Sequence, residues 1–421
     1  MRFIADFHLH SKYSRATSRD MEVEFLGRWA RRKGIGLLGT GDFTHPTYLA
    51  ELRSKLEPLG NGLFRLKKGD SHPEFMLTAE VSNIYSQGGR VRRIHTILFS
   101  PSFETAGTIV SKLGSYGKLS SDGRPILGFS ARDLAKMVLD ISGDCMVIPA
   151  HAWTPWFSIF GANSGFDSIE ECFGEMAPHI HSIETGLSSD PEMNWRLSSL
   201  GRVTLISNSD AHSPSRLGRE ANAFDCDLDY RAITDTLRKK DRKRFLFTIE
   251  FFPQEGKYHY DGHRNCGVIF SPSETKAHQF LCPKCQKRVT VGVMHRVEEL
   301  ADRPEGFIPK NAIPSIHLIP LEEILAEALG YKVGTKAIEK EYERLVEQGG
   351  SEFRILLDAT PDELASFAEP KVLEAIIQMR QGKVSIIPGH DGAYGKISLL
   401  PKKSEEEKPG QEKREEQLEL F

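Results

Sequence analysis

Nine side chains of metal-binding type are spread over the first half of the chain: His8, His10, Asp42, His45, Glu80, His95, His151, Asp210 and His212. Neutral imidazole and carboxylate are the N/O donors that hold Zn²⁺, Mn²⁺ and Fe²⁺. Residues two apart on a strand share a face, so His8 and His10 can chelate one ion together, and so can Asp210 and His212. A carboxylate such as Glu80 can bridge two ions, which a lone imidazole cannot. Nine donors exceed the need of one ion, so two or three divalent metals (Zn, Mn, Mg or Fe) are expected. Clustered divalent ions suit phosphoester hydrolysis, because they activate water, hold phosphoryl oxygens and stabilise the leaving oxygen. Attack would then fall to a metal-activated water, and no separate protein nucleophile is assigned.

Any one of these histidines, taken alone, would be a packed or surface residue. Their joint placement is what makes a site. Each follows a short apolar run that reads as a buried strand, such as Phe3-Ile4-Ala5, Phe75-Met76-Leu77, Met146-Val147-Ile148 and Val203-Thr204-Leu205-Ile206, with a basic-to-apolar segment around Ile94 before His95. Between the runs lie segments of helical period, among them 22–32, 131–139 and 230–238. Strand and helix in alternation imply parallel strands covered by helices. An open sheet gathers ligands at one switch point. Here successive strand ends supply one set, which requires a (β/α) barrel.

Length and composition fit this picture. The chain has 421 residues and a net charge of -3, enough for about two to three domains. No apolar stretch reaches the ~18 residues of a membrane span and no signal peptide is evident, so a cytoplasmic protein is expected. Six cysteines in so long a chain do not make a disulfide framework. Cys145, Cys172 and Cys226 are scattered and read as small core residues. Cys266, Cys282 and Cys285, with His263, have the spacing of a tetrahedral structural zinc, since each pair closes a tight knuckle. His259 and His278 are alternative fourth ligands.

Basic and aromatic residues cluster around both sets. Arg90, Arg92 and Arg93 precede His95, and Trp153 and Trp156 follow His151. Lys257, Tyr258 and Arg264 flank the knuckle. Together they suggest a nucleic-acid surface. The expected organisation is a catalytic barrel over 1–235, a zinc module with a DNA-contacting stretch over 236–300, a helical domain over 301–400, and a disordered tail over 401–421. The helical segments are 321–329, 337–346, 361–367 and 372–379, the third opened by Thr360-Pro361. The tail is charged, with five basic and seven acidic residues after Pro401, and it ends in Gln417-Leu418-Glu419-Leu420-Phe421.

The ordered set His8-Leu9-His10, Asp42-Phe43-Thr44-His45, Glu80, His95, His151 and Asp210-Ala211-His212 resembles the polymerase-and-histidinol-phosphatase (PHP) superfamily over about residues 1–225. That resemblance implies a distorted (β/α)₇ barrel with three metals. His8, His10, Glu80 and Asp210 would hold one and would be the catalytic residues, through its activated water. Glu80, as a bridge, with His95 and His151 would hold the second, and Asp42, His45 and His212 the third. Further on, the segment 256–264, the cysteine knuckle, Arg296-Val297-Glu298-Glu299-Leu300-Ala301-Asp302-Arg303-Pro304 and Gly389-His390-Asp391-Gly392 resemble the endonuclease Q family.

The family implies a DNA repair enzyme that flips a deaminated base (uracil, hypoxanthine, xanthine) or an abasic residue out of double-stranded DNA. It would hydrolyse the phosphodiester on the 5′ side, leaving a 3′-hydroxyl and a 5′-phosphate. The terminal Gln417, Leu418, Leu420 and Phe421 resemble the pentapeptide that binds the bacterial replication sliding clamp. A monomer with no membrane contact is expected. The competing readings are a small-molecule phosphoesterase of the histidinol phosphatase kind, and a non-catalytic clamp-associated DNA-binding protein.

Overall fold

The computed structural model describes residues 1–69 and 72–399. The clamp-like peptide 417–421 lies outside them. Seven strands surround a common axis: β1 (Arg2–Asp6), β2 (Leu37–Gly39), β3 (Glu74–Gln87), β4 (Arg90–Ser100), β5 (Met146–Pro149), β6 (Ser182–Glu184) and β7 (Thr204–Ile206). β1, β2 and β3 run parallel, with Ala5 opposite Leu37 and Leu37 opposite Glu74. β6 and β7 also pair parallel. The ring closes where Leu9 bridges Ala211 and where Ala152 N–H donates to Glu184 C=O at 2.9 Å. This is a distorted (β/α)₇ barrel, and the distortion is β4.

β4 runs antiparallel to both neighbours, with Gln87 opposite Arg90 and Thr96 opposite Pro149. It is joined to β3 by Gly88-Gly89, both at positive φ (61° and 73°), which a two-residue hairpin turn requires. Glu80 and His95 therefore do not end strands as the sequence suggested. They lie within a hairpin of 14-residue and 11-residue arms. Alternation along an arm puts every second side chain inward, so mid-strand positions can supply ligands as well as strand ends.

Helices cover the outside as their sequence period requires. Val23–Lys33 ends at Gly34 in the left-handed region (φ 86°) and buries Val23, Leu26 and Ala30. Ala131–Ile141 is capped by Ser130, whose hydroxyl accepts from Asp133 N–H. Inside the barrel, Phe7, Met76, Ile97, Ile148 and Ile206 fill the floor beneath the polar mouth. Cys145, Cys172 and Cys226 are buried.

Strand β8 (Ala221–Asp225) pairs antiparallel with β1 and β9 (Phe245–Glu250) antiparallel with β8, so the barrel's sheet continues past residue 235. The hairpin β10 (Asp261–His263) and β11 (Val268–Phe270) carries His263 and Cys266, with Cys282 and Cys285 following it along the chain. β12 (Ser315–His317) returns to pair with β9. The helices Leu321–Leu329, Lys336–Gly349, Pro361–Ala365 and Pro370–Arg380 follow, the third opened by a capping box between Thr360 and Glu363. A buried ion pair, Lys33 Nζ to Glu352 Oε2 at 2.7 Å, ties them to the barrel's first helix.

At the seam beside Leu321–Leu329, burial and the nearby Glu323 push the Glu255 carboxyl up to about 8, against the pull of Arg216. Unfolded, this group loses its proton near 4.5. Its favourable contribution is thus complete below pH 4.5 and is lost as pH rises through 8. Glu255→Gln, which cannot ionise, should raise Tm at pH 8.5 and leave it unchanged at pH 4.5. A Tm difference independent of pH in thermal melts would contradict this.

Candidate metal centre

Three polypeptide turns aim the site. Asp42, His151 and Asp210 all have positive φ (43°, 29° and 47°), uncommon for side chains other than glycine. Such strain persists where surrounding structure over-determines it, and it concentrates at functional sites. Two glycines make room. A Cβ at Gly186 would stand 2.5 Å from His151 Cβ, and one at Gly123 would collide with Asp42 and Ser14.

The side chains converge in two buried groups around Glu80, which is 1% exposed. In the first, His10 Nε2 lies 3.2 Å from Glu80 Oε2 and 3.1 Å from Asp210 Oδ1. His8 Nε2 lies 3.6 Å from each of the same two oxygens. In the second, Glu80 Oε1 lies 2.7 Å from His95 Nδ1 and 3.0 Å from His151 Nε2. The two carboxylate oxygens thus face different groups, the arrangement a bridging ligand needs. His8 Nε2, His10 Nε2 and Asp210 Oδ1 are buried with no hydrogen-bond partner. Three orphaned donor atoms pointing at one spot cost free energy unless a cation sits among them. The residues fit a divalent metal.

The remaining ring nitrogens are held from behind. His8 Nδ1 donates to Glu184, 3.0 Å from both oxygens, and Glu184 also accepts from His151 N–H and Asn208. His10 Nδ1 donates to Asp42 Oδ1 at 3.1 Å. This leaves each Nε2 turned to the centre, where a bound cation would take the place of its proton. Burial pushes His8 down, yet Glu184, Asp210 and Glu80 outweigh it and hold its pKa well above 6.5. His95 is the reverse case, since burial dominates and brings it to about 4, so it stays neutral and able to ligate. Burial raises Glu80 too, but the field of its cationic neighbours Arg124 and His8 holds it well below the usual carboxylate range.

Asp42, His45 and His212 do not converge; among the described residues no metal-holding group contains them. Asp42 is occupied by His10, and its Oδ2 accepts from Ser11 N–H, Ser11 Oγ and Ser14 Oγ at 2.6 to 2.8 Å. His45 caps the helix Pro46–Lys55 by accepting from Tyr48 N–H and stacks on Tyr13 at 4.3 Å. His212 Nδ1 donates to the Asp210 carbonyl, with its ring 4.6 Å from that of His10.

Two functional residues escaped the sequence reading. Glu184 ends a three-residue strand, and the strand-end pattern that marked the other ligands would have found it. Arg124 approaches from a loop, with Nη1 3.0 Å from Glu80 Oε2, and nothing in its sequence surroundings marks it.

The second cluster is assembled as expected, with ligand atoms of His263, Cys266, Cys282 and Cys285 within 4.8 Å of one another. The alternatives are engaged elsewhere, His278 stacked on Phe270 and His259 on Tyr260.

Of the residues expected to meet DNA, two are turned inward. Trp153 is 1% exposed and donates from Nε1 to Asn194. Arg92 packs over Phe166 and donates to Gly165 C=O and Glu171. Packing has claimed both, because their apolar and planar surfaces bury well. Trp156, Arg90 and Arg264 are exposed, Arg93 lies over Phe157, and Lys257 lies over Tyr394 beside Tyr258.

Comparison with known proteins places this geometry. Residues 320–383 match the family model for the MJ0043 C-terminal domain. A Methanocaldococcus jannaschii protein, MJ0043, is 37% identical over 263 residues, which is 61% of this chain but only 32% of the archaeal protein. Bacillus subtilis YqxK is 28% identical over 94% of this chain and 99% of its own length. The crystal structure of a lesion-specific endonuclease from Pyrococcus furiosus superposes with a TM-score of 0.84 at 33% identity, covering 94% of this chain and 95% of that one. An endonuclease Q solved with a 27-mer duplex bearing an abasic lesion at its active site gives 0.82 at 32% identity, covering 96% and 97%. With that likeness running through barrel, cysteine hairpin and helices alike, the chain belongs to the endonuclease Q family of metal-dependent DNA-cleaving enzymes.

Proposed function

We propose that the chain nicks duplex DNA on the 5′ side of a deaminated base or abasic residue, leaving a 3′-hydroxyl and a 5′-phosphate. The observation that carries this reading is the set of orphaned atoms on His8, His10 and Asp210 around a carboxylate that also faces His95 and His151. It is supported by full-length likeness to an enzyme solved on an abasic duplex. In this reading His8, His10, Asp210 and Glu80 hold one ion, and Glu80, His95 and His151 a second. Divalent ions there supply an activated water and neutralise phosphoryl charge.

The chain's own residues do the rest. Glu184 and Asp42 hold His8 and His10 in the ligating tautomer. Arg124 is drawn to Glu80, and Asp210 and Asp122 add to the attraction. The Arg124 guanidinium faces the centre beside Glu80, where its fork would match two phosphate oxygens. Arg124→Ala should cut the single-turnover rate about 100-fold with bound metal unchanged. A rate within a factor of two of wild type would remove Arg124 from the site.

Arg90, Arg93, Trp156, Lys257, Tyr258 and Arg264 form the DNA-facing surface of this proposal, and His263, Cys266, Cys282 and Cys285 hold a structural zinc. The barrel, the zinc module and the helical region act as three units on one monomer. The peptide 417–421 docks on a bacterial sliding clamp. Deleting it should abolish retention on immobilised clamp while nicking of a short duplex is unchanged; equal retention would remove the tail from the reading.

The deciding experiment maps the product ends on duplexes with one uracil, hypoxanthine, xanthine or abasic residue, with Mn²⁺, Mg²⁺ or Zn²⁺ supplied. A single nick 5′ to the lesion is expected. Intact lesion duplexes alongside turnover of histidinol phosphate would replace this reading with a small-molecule phosphoesterase.

A further inference from the structure

We propose that Asp190, Glu192 and His317, with Glu250 behind them, form a separate divalent-cation site clipping strand β12 to the barrel. The loop after β6 supplies Asp190, the short helix Pro191–Trp195 supplies Glu192, and β12 ends in His317. Ligand atoms of the three lie within 4.8 Å of one another. His317 Nε2 stands 3.4 Å from Asp190 Oδ2, and Glu192 Oε1 accepts from Ser315 Oγ at 2.7 Å. Asp190 Oδ1 is spent on capping Met193 N–H, which leaves Oδ2 for the cluster. Donors around an ion at ~2.0–2.2 Å from each lie no more than about 4.4 Å apart, and the 3.4 Å between His317 Nε2 and Asp190 Oδ2 meets that limit.

A simple His–Asp ion pair does not account for what surrounds it. Glu250 is 0% exposed and is the register partner of His317 on the adjacent strand, so their side chains share a face. Its Oε2 accepts from Thr185 and Ser207, both at 3.1 Å, but its Oε1 is buried with no partner. His259, 4% exposed, lies in the field of Asp190 and has an orphaned Nδ1. Three carboxyls, of Asp190, Glu192 and Glu250, gather around one imidazole beside a buried oxygen with no partner. A divalent ion would take the place of the protons such a cluster otherwise holds and would satisfy that oxygen. One imidazole with carboxylate oxygens suits Zn²⁺ or Mn²⁺.

This site is independent of the endonuclease reading, so its test needs no DNA. The full chain would be equilibrated with Zn²⁺ or Mn²⁺, desalted, and its metal content measured by plasma mass spectrometry. Anomalous scattering at the metal edge would locate each ion. His317→Gln and the surface change Glu192→Gln should each lose one equivalent per chain and keep the others. Wild-type crystals should show a peak at the triad. Unchanged stoichiometry in both variants, or no anomalous peak there in the wild type, would overturn the proposal.

Discussion

Glu80→Gln lowers the rate of lesion-directed nicking by at least about 1000-fold and leaves duplex affinity within a factor of about three. The expectation follows from the position of one side chain. Glu80 faces His8 and His10 with one oxygen, and His95 and His151 with the other. An amide has the carboxylate's shape but lacks the charge and the second anionic oxygen that two ions share. Both groups should therefore lose affinity together, and metal content should fall by more than one equivalent. Single-turnover cleavage, plasma mass spectrometry and fluorescence anisotropy measure the three quantities. Loss of one equivalent with cutting retained would mean that the groups act separately and that Glu80 is no bridge.

The second large effect is expected at the cysteine hairpin. Its apolar core among the described residues is only Val268, Phe270, Cys282 and Val289. So small a core cannot offset the entropy of ordering the hairpin. In the proposed reading a structural zinc supplies the difference, such a site being worth about 10 kcal/mol or more in comparable modules. Cys282→Ser should release one zinc per chain, expose the segment 261–290 to protease, and weaken duplex binding about tenfold or more. The barrel should keep its metals and its main unfolding transition. Protease resistance equal to wild type would show that protein contacts alone hold the hairpin.

Much of this was legible from residue type and spacing because the physics is local. The Thr360 helix cap, and the period behind it, need only neighbours in sequence. The cysteine knuckle is equally local. What escaped depended on partners far along the chain. The direction of β4 follows from a hairpin turn whose two glycines are clear only once both arms are seen to pair. Glu184 acts on His8 from 176 residues away. Trp153 and Arg92 had suitable chemistry for DNA, but Asn194, Phe166 and Glu171 had already claimed them. Composition lists which groups are present; only the fold decides which of them are spare.

The β3–β4 hairpin carries a mechanical consequence. Glu80 and His95 ride on its two arms, and the tip at Gly88-Gly89 lies eight residues beyond Glu80, or roughly 26 Å along the strand. Arg90 stands at that tip and Arg93 partway down. A ladder of paired strands is stiff along its length, so a load on the tip turns the whole arm as a lever about its seat in the barrel wall. In the proposed reading, DNA held by those arginines would therefore press on the same arm that carries Glu80.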